Sequence, residues 1–215
     1  TDDYKKIGIL PIALRNYLLR LGWSYKDKEI FNNEESIKFF NLKNIGKSPS
    51  KLDFERIKSL NEHYIKNLNE KELFDYFIIF VNEFEKKIEE KYLKIIFENI
   101  NILKNKAKTL EDIYNNSKFI FEYNHTLILK KNFITEKNKI YLTDFLKEIS
   151  KIESYSDKKI IEISESVLKK NNIKFKELGE PLRLILTGSS KAPSIKEIVK
   201  ILGINETISR LKQYI

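Results

Sequence analysis

Apolar residues return every three or four positions along almost the whole of this 215-residue chain, and nowhere do they alternate over the length of a strand. That period confines the chain to helices and sets where each one turns its buried face. From Ile9 to Leu21 the apolar set is Ile9, Ile12, Ala13, Leu14, Tyr17, Leu18 and Leu21. Pro11 falls in the first turn, where a missing N–H does no harm, and Gly22 is the stop. Asn33 reads as the cap of a short helix through Phe39. Asp53 reads as the cap of the next, with Phe54, Ile57, Leu60, Tyr64 and Ile65 as its buried face. Lys43 to Lys51, with Gly46 and Pro49, reads as an exposed loop.

Asn69 and Glu72 make a capping-box pair that opens a long helix to about Lys86, and a second runs from Glu89 to Leu103. Thr109 caps a third, with Leu110, Ile113 and Tyr114 inward. Asn124 to Lys139 lacks a helical period and reads as a junction. Further helices are expected near Thr143–Glu153, Ser156–Lys170, Glu180–Thr187, Ser194–Leu202 and Asn205–Tyr214. Ser194 and Glu197 repeat the capping-box pair, and Gly188 and Gly203 stand where helices should stop. No fixed-period repeat marks a regular solenoid. The expected fold is all-α, in two or three compact helical units.

Composition removes several chemistries. The chain has no Cys, hence no disulfide, no thiolate metal site and no thiol nucleophile. Its two histidines, His63 and His125, lie in unrelated contexts without metal-ligand spacing, and the six glycines are scattered singly, so no phosphate loop is formed. No nucleophile, base and orienting partner assemble, so neither a catalytic nor a metal residue is expected. The apolar runs, such as the one around Phe77 to Val81, are too short to span a bilayer, and Thr1-Asp2-Asp3 does not resemble a signal peptide. A soluble, cytoplasmic protein without membrane association is expected. Met is absent throughout and the first residue is Thr1, which suggests a piece of a longer protein.

Net charge is +9, with a pI near 9.3, which favours a polyanionic partner, nucleic acid first. Five of the 40 basic residues are arginines (15, 20, 56, 183 and 210). Lysine is therefore the cheap basic residue here, and each arginine is the more informative for its planar fork. The rival reading takes the charge as compositional and the chain as a helical protein-interaction adaptor.

One stretch departs from its helical surroundings: Gly179-Glu180-Pro181-Leu182-Arg183-Leu184-Ile185-Leu186-Thr187-Gly188-Ser189-Ser190-Lys191-Ala192-Pro193-Ser194-Ile195. With a helix opening at Glu180 and another after Ser194, two helix N-termini and Arg183 would flank one loop. Helix N-termini attract anions, and a single-stranded RNA loop offers splayed bases to backbone and Arg donors. Read from pattern alone, Arg183 is better taken as a salt-bridging tie between two helices, with the loop a mere connection.

This stretch resembles the signature of the last domain of bacterial glutamyl-tRNA synthetases: Pro-Leu-Arg, then Leu-Thr-Gly, then a Pro leading into a helix. Two further stretches are similar to the same family in the same order. Gly8 to Ser24 resembles the helix after its second nucleotide-binding signature. Lys51 to Ile57, with Leu60-Asn61 and Tyr64-Ile65, resembles its stem-contact domain. A weaker likeness is Lys106 to Ile113. The resemblance implies a parent class I enzyme that joins glutamate to tRNA using ATP and Mg²⁺. This chain would be its non-catalytic, tRNA-binding C-terminal part, needing no cofactor and acting as a monomer. It implies a stem-contact domain over residues 1–67 and two all-helical anticodon-binding domains over 68–128 and 129–215. The glutamate-accepting tRNA is the implied partner.

On the matching positions, Arg183 would read anticodon bases, and Thr187, Ala192, Pro193 and Ile195 would shape the pocket. Lys104, Lys106 and Lys108 would serve the first anticodon-binding domain, and Arg15, Arg20 and Asn61 the tRNA stem. The departures are Ala192 where a small hydroxyl residue is usual, Ser194 where Gly is usual, and Ser59 and Glu62 for an aromatic and a Gly. Neither a His-x-Gly-His motif nor a Lys-x-Ser-Lys loop occurs. Whether the parent also charges glutamine tRNA is left open.

Overall fold

The computed structural model describes residues 2–46, 51–123 and 134–215. The middle of the Lys43–Lys51 loop, His125 and most of the expected junction lie outside the described residues. Among them are thirteen α-helices and no sheet; a single bridge joins Trp23 to Ile45. The helices are α1 (Asp2–Lys6), α2 (Pro11–Gly22), α3 (Asn33–Phe39), α4 (Phe54–Asn67), α5 (Glu70–Glu83), α6 (Glu90–Glu98) and α7 (Ile100–Leu103). They continue as α8 (Leu110–Phe121), α9 (Glu136–Ile149), α10 (Asp157–Asn171), α11 (Phe175–Thr187), α12 (Ile195–Leu202) and α13 (Ile204–Lys212). The all-α expectation is met.

Most caps act as the sequence indicates. Asp53 accepts from the N–H groups of Glu55 and Arg56 at 3.0 and 3.1 Å. Asn69 accepts from Glu72 N–H at 2.9 Å, and Thr109 from Asp112 N–H at 3.0 Å. Gly188 and Gly203 both take φ of +76°, the left-handed region that ends a helix without a Cβ clash.

Five expectations shift. Asn32, not Asn33, caps α3, because its side chain reaches Glu35 N–H at 2.8 Å and completes a capping box. Phe54 is 49% exposed rather than inward. The helix expected from Glu89 to Leu103 breaks at Asn99, whose amide turns back to the Ile95 carbonyl at 2.9 Å. Helix α9 begins at Glu136, capped by Thr135, inside the expected junction. Helix α11 begins at Phe175, not Glu180, and Pro181 lies within it. A proline interrupts one backbone bond of a helix, but the burial of Leu178, Leu182, Ile185 and Leu186 on both sides carries this helix through.

Two compact units are present, each built from chain segments that are not contiguous: residues 1–88 with 103–115, and residues 89–102 with 116–215. In the first unit α2 packs on α4 around Leu10, Ala13, Tyr17, Ile57 and Ile65. Buried Asn16 donates to the Glu29 carbonyl at 2.9 Å and accepts from Phe31 N–H at 2.7 Å, fixing the segment after α2. Gly8 makes a close approach elsewhere in this unit. Its φ is +76°, and a Cβ there would stand 2.6 Å from Leu110 N. In the second unit α9 to α13 close around Leu142, Phe145, Ile185, Ile198, Val199 and Leu211, all fully buried.

Candidate nucleic-acid interface

The loop singled out in the sequence leaves the C-terminus of α11 and enters the N-terminus of α12. Because α11 starts at Phe175, only one helix N-terminus adjoins the loop, where the shorter helix implied two. Arg183 correspondingly stands in the third turn of α11, not the first. Its Nε–H donates to the Pro193 carbonyl at 3.1 Å, closing the loop across its far end. Its remaining nitrogens find no hydrogen-bond partner among the described residues, and the side chain is half-buried.

The loop is pinned at its near end as well. Thr187 Oγ1 donates to the Arg183 carbonyl at 2.8 Å and accepts from Ser189 N–H at 3.2 Å. Ser189 Oγ in turn accepts from Lys191 N–H at 3.1 Å. At the α12 end, Ser194 N–H and Oγ–H both donate to Glu197 Oε2, at 2.8 and 2.6 Å. Ala192 and Pro193 are partly exposed, whereas Ile195 is buried under the loop.

Side chains that the sequence did not single out hold the end of α11 from beneath. Arg210 is 3% exposed; its Nη1 donates to the carbonyls of Leu186 at 2.6 Å and Phe119 at 2.9 Å, and its Nε to Glu206 at 2.7 Å. The guanidinium lies 3.7 Å from the Tyr123 ring centroid, and the Tyr123 hydroxyl donates to the Ile185 carbonyl at 2.6 Å. Burial pushes the Tyr123 phenol well above its ordinary pKa, so it stays a donor. The carbonyls of Ile185 and Leu186 belong to the last turn of α11, where intrahelical donors run out. On the face of α11 toward its start, Phe175, Gly179 and Arg183 are spaced by four. A Cβ on Gly179 would stand 3.2 Å from the Phe175 ring and 3.3 Å from Arg183 Nη1.

The other sequence candidates belong to the first unit. Lys104 donates to the carbonyls of Lys66 and Leu68 at 3.1 and 3.2 Å, capping the C-terminus of α4. Lys106 is exposed at a φ of +63°. Lys108 reaches Glu55 at 3.8 Å. Arg15 is exposed on α2. Arg20 borders a pocket of about 600 Å³ together with Tyr17, Lys51, Asp53, Phe54 and Arg56. Its Nε and Nη1 are buried and find no hydrogen-bond partner among the described residues. Asn61 does not reach the surface. It is 0% exposed, accepts from Leu10 N–H at 2.8 Å and donates to the carbonyls of Lys108 at 2.7 Å and Gly8 at 3.3 Å. Its amide is consumed in joining α2, α4 and the start of α8, which removes it as a contact to RNA. No group of His, Asp or Glu able to hold a metal ion occurs among the described residues.

Residues 55–215 match the family described as an anticodon binding domain. This chain belongs to that family. Residues 1–59 match the catalytic domain of class I tRNA synthetases for E and Q. The chain is 47% identical over 211 residues to a glutamate–tRNA ligase of Pelagibacter ubique, covering 97% of this chain and 45% of that protein. It is 37% identical to one from Wigglesworthia glossinidia brevipalpis, covering 97% of this chain and 44% of that protein. A crystal structure of a glutamate tRNA ligase from Elizabethkingia meningosepticum, in complex with its amino acid, superposes with a TM-score of 0.80 at 27% identity. That likeness covers 98% of this chain and 42% of the other. The chain thus spans less than half the length of these relatives.

Proposed function

We infer that this chain is the tRNA-recognising portion of a glutamate–tRNA ligase and that the loop from Thr187 to Ser194, with Arg183, reads unpaired anticodon bases. Residues 1–67 would meet the tRNA stem, and residues 68–128 and 129–215 would form two successive anticodon-binding segments. The whole enzyme would attach glutamate to tRNA with ATP and Mg²⁺. The chain itself lacks both nucleotide signatures, needs neither and performs no adenylation. It would work as a monomer in the cytoplasm; no helix among the described residues is long and apolar enough to cross a membrane.

The observation that carries this reading is the state of Arg183. One nitrogen is committed to the Pro193 carbonyl, which fixes the guanidinium beside the loop, and the others are left for a base edge or a phosphate. Thr187, Ala192 and Pro193 would line that contact, with Ile195 as its buried support. Lys106 and Lys108 would approach phosphate in the first anticodon-binding segment, while Lys104 supports α4. In the stem segment Arg15 is exposed, and the unmatched nitrogens of Arg20 favour an acceptor such as phosphate oxygen.

The test is Arg183→Ala, read as tRNA affinity by filter binding. A base-specific contact is worth ~1–3 kcal/mol, so affinity should fall about 5- to 150-fold, with Arg183→Lys restoring part of it. Unchanged affinity with an intact fold would remove Arg183 from the reading.

A further inference from the structure

We propose that Phe175, Gly179 and Arg183 form a slot for one unpaired nucleobase. The slot rests on the RNA-reading role given above and adds to it a stacking subsite on α11. The three residues, spaced by four, stand one above another on a single helix face. Phe175 forms one wall and leaves 48% of its surface exposed, at the first position of the helix. Arg183 forms the other.

The separation of these walls is the informative quantity. The guanidinium carbon of Arg183 lies 6.0 Å from the Phe175 ring centroid, whereas that of Arg210 lies 3.7 Å from Tyr123. Arg210 lies on the Tyr123 ring, whereas Arg183 stands over Phe175 at the outer limit of such a pairing. A planar base between two flat groups needs roughly 3.5 Å on each side, so the walls need open by only about 1 Å. Both are ends of rotatable side chains.

Gly179 is the floor. A Cβ at this position would press on both walls at once, at 3.2 and 3.3 Å. Glycine inside a helix is less favourable than alanine, so this residue weakens α11 while leaving room for both side chains over its backbone. Arg183 is held from behind by the Pro193 carbonyl, which ties the slot to the reading loop. An aromatic face opposite a cation suits the π-face of any base, so the slot would contribute affinity without choosing among bases. Selection by edge contacts would come from the free Arg183 nitrogens and the loop.

The experiment measures binding of a glutamate-accepting tRNA transcript to the 215-residue chain and its variants, with a thermal melt of each. Phe175→Ala should lose about 5- to 150-fold in affinity, the range of one base–aromatic stack, and Phe175→Tyr should keep it. Gly179→Ala should also weaken binding, although its helix should melt no lower than that of the wild type. If Phe175→Ala and Gly179→Ala bind like wild type while Arg183→Ala is weakened, the slot is wrong and the reading role of Arg183 survives. If Arg183→Ala binds normally as well, the reading role itself has failed. Should Phe175→Ala melt early, Gly179→Ala decides, because it adds a methyl group without removing a contact.

Discussion

Arg183 is half-buried, whereas Arg210 is almost wholly buried. Both donate to a carbonyl that helps shape one loop, yet their loss should read out differently. Arg210→Ala would orphan the Leu186 and Phe119 carbonyls in a buried site and empty the space over Tyr123. Hydrogen bonds to a charged group contribute ~1.5–3 kcal/mol each, so the fold should lose on the order of 3 kcal/mol. Chemical denaturation should show this as a lower midpoint, while Arg183→Ala leaves the midpoint near wild type. Equal midpoints for Arg210→Ala and wild type would disprove the clamp. Nothing in the local sequence separated these arginines. Apart from Glu206, the partners of Arg210 are backbone carbonyls up to 91 residues away, and those of Asn16 and Asn61 are likewise groups supplied by other segments.

Elements were legible where their signals are local. Caps at Asp53, Asn69 and Thr109 and stops at Gly188 and Gly203 depend on neighbours a few residues away, and each acts as the sequence indicates. Pro181 misdirected the reading of α11, because a proline usually marks a first turn, and burial on both sides overrode it here. That displacement moved Arg183 from the start of a helix to its third turn and hid the Phe175–Gly179–Arg183 face. Between α9 and α10 the tie is electrostatic: Asp144 accepts from Lys170 Nζ at 2.7 Å and from Asn171 Nδ2 at 3.0 Å. The Lys170 bond first, then that of Asn171, holds the Asp144 carboxyl below its ordinary pKa. A carboxyl lowered on folding adds stability above its unfolded value, about 3.9, and that stability is lost as pH falls through the folded value. Lys170 is 66% exposed at its side chain, so solvent screens much of the effect. Urea midpoints taken from neutral pH downward should therefore fall further for wild type than for Asp144→Asn below about pH 4. Parallel curves would show that the tie has no weight in the acid response.

Over the whole molecule, the net charge of +9 is carried mostly by lysine, a strongly hydrated point charge suited to phosphate. Each phosphate neutralised releases counterions, so log affinity for tRNA should fall with log salt at a slope of about −0.7 to −0.9 per contact. Filter binding at several salt concentrations measures it, and a flat line would show the charge to be compositional. Charge and helical period were legible in the sequence. The partition into units was not, because it depends on contacts between segments that the chain order separates. Gly8 sits against Leu110, and Lys86 is held by Glu111 at 3.0 Å and by the Tyr114 ring at 4.3 Å, all within the first unit. A ribosome delivers the chain in one direction, at roughly 5–20 residues per second. Residues 1–88 must therefore wait, unclosed, until residues 103–115 have emerged. Residues 89–102 leave the exit tunnel earlier than that closing segment but belong to one unit with residues 116–215. During synthesis the first unit is whole once residue 115 is out, while residues 89–102 still await the rest of their unit.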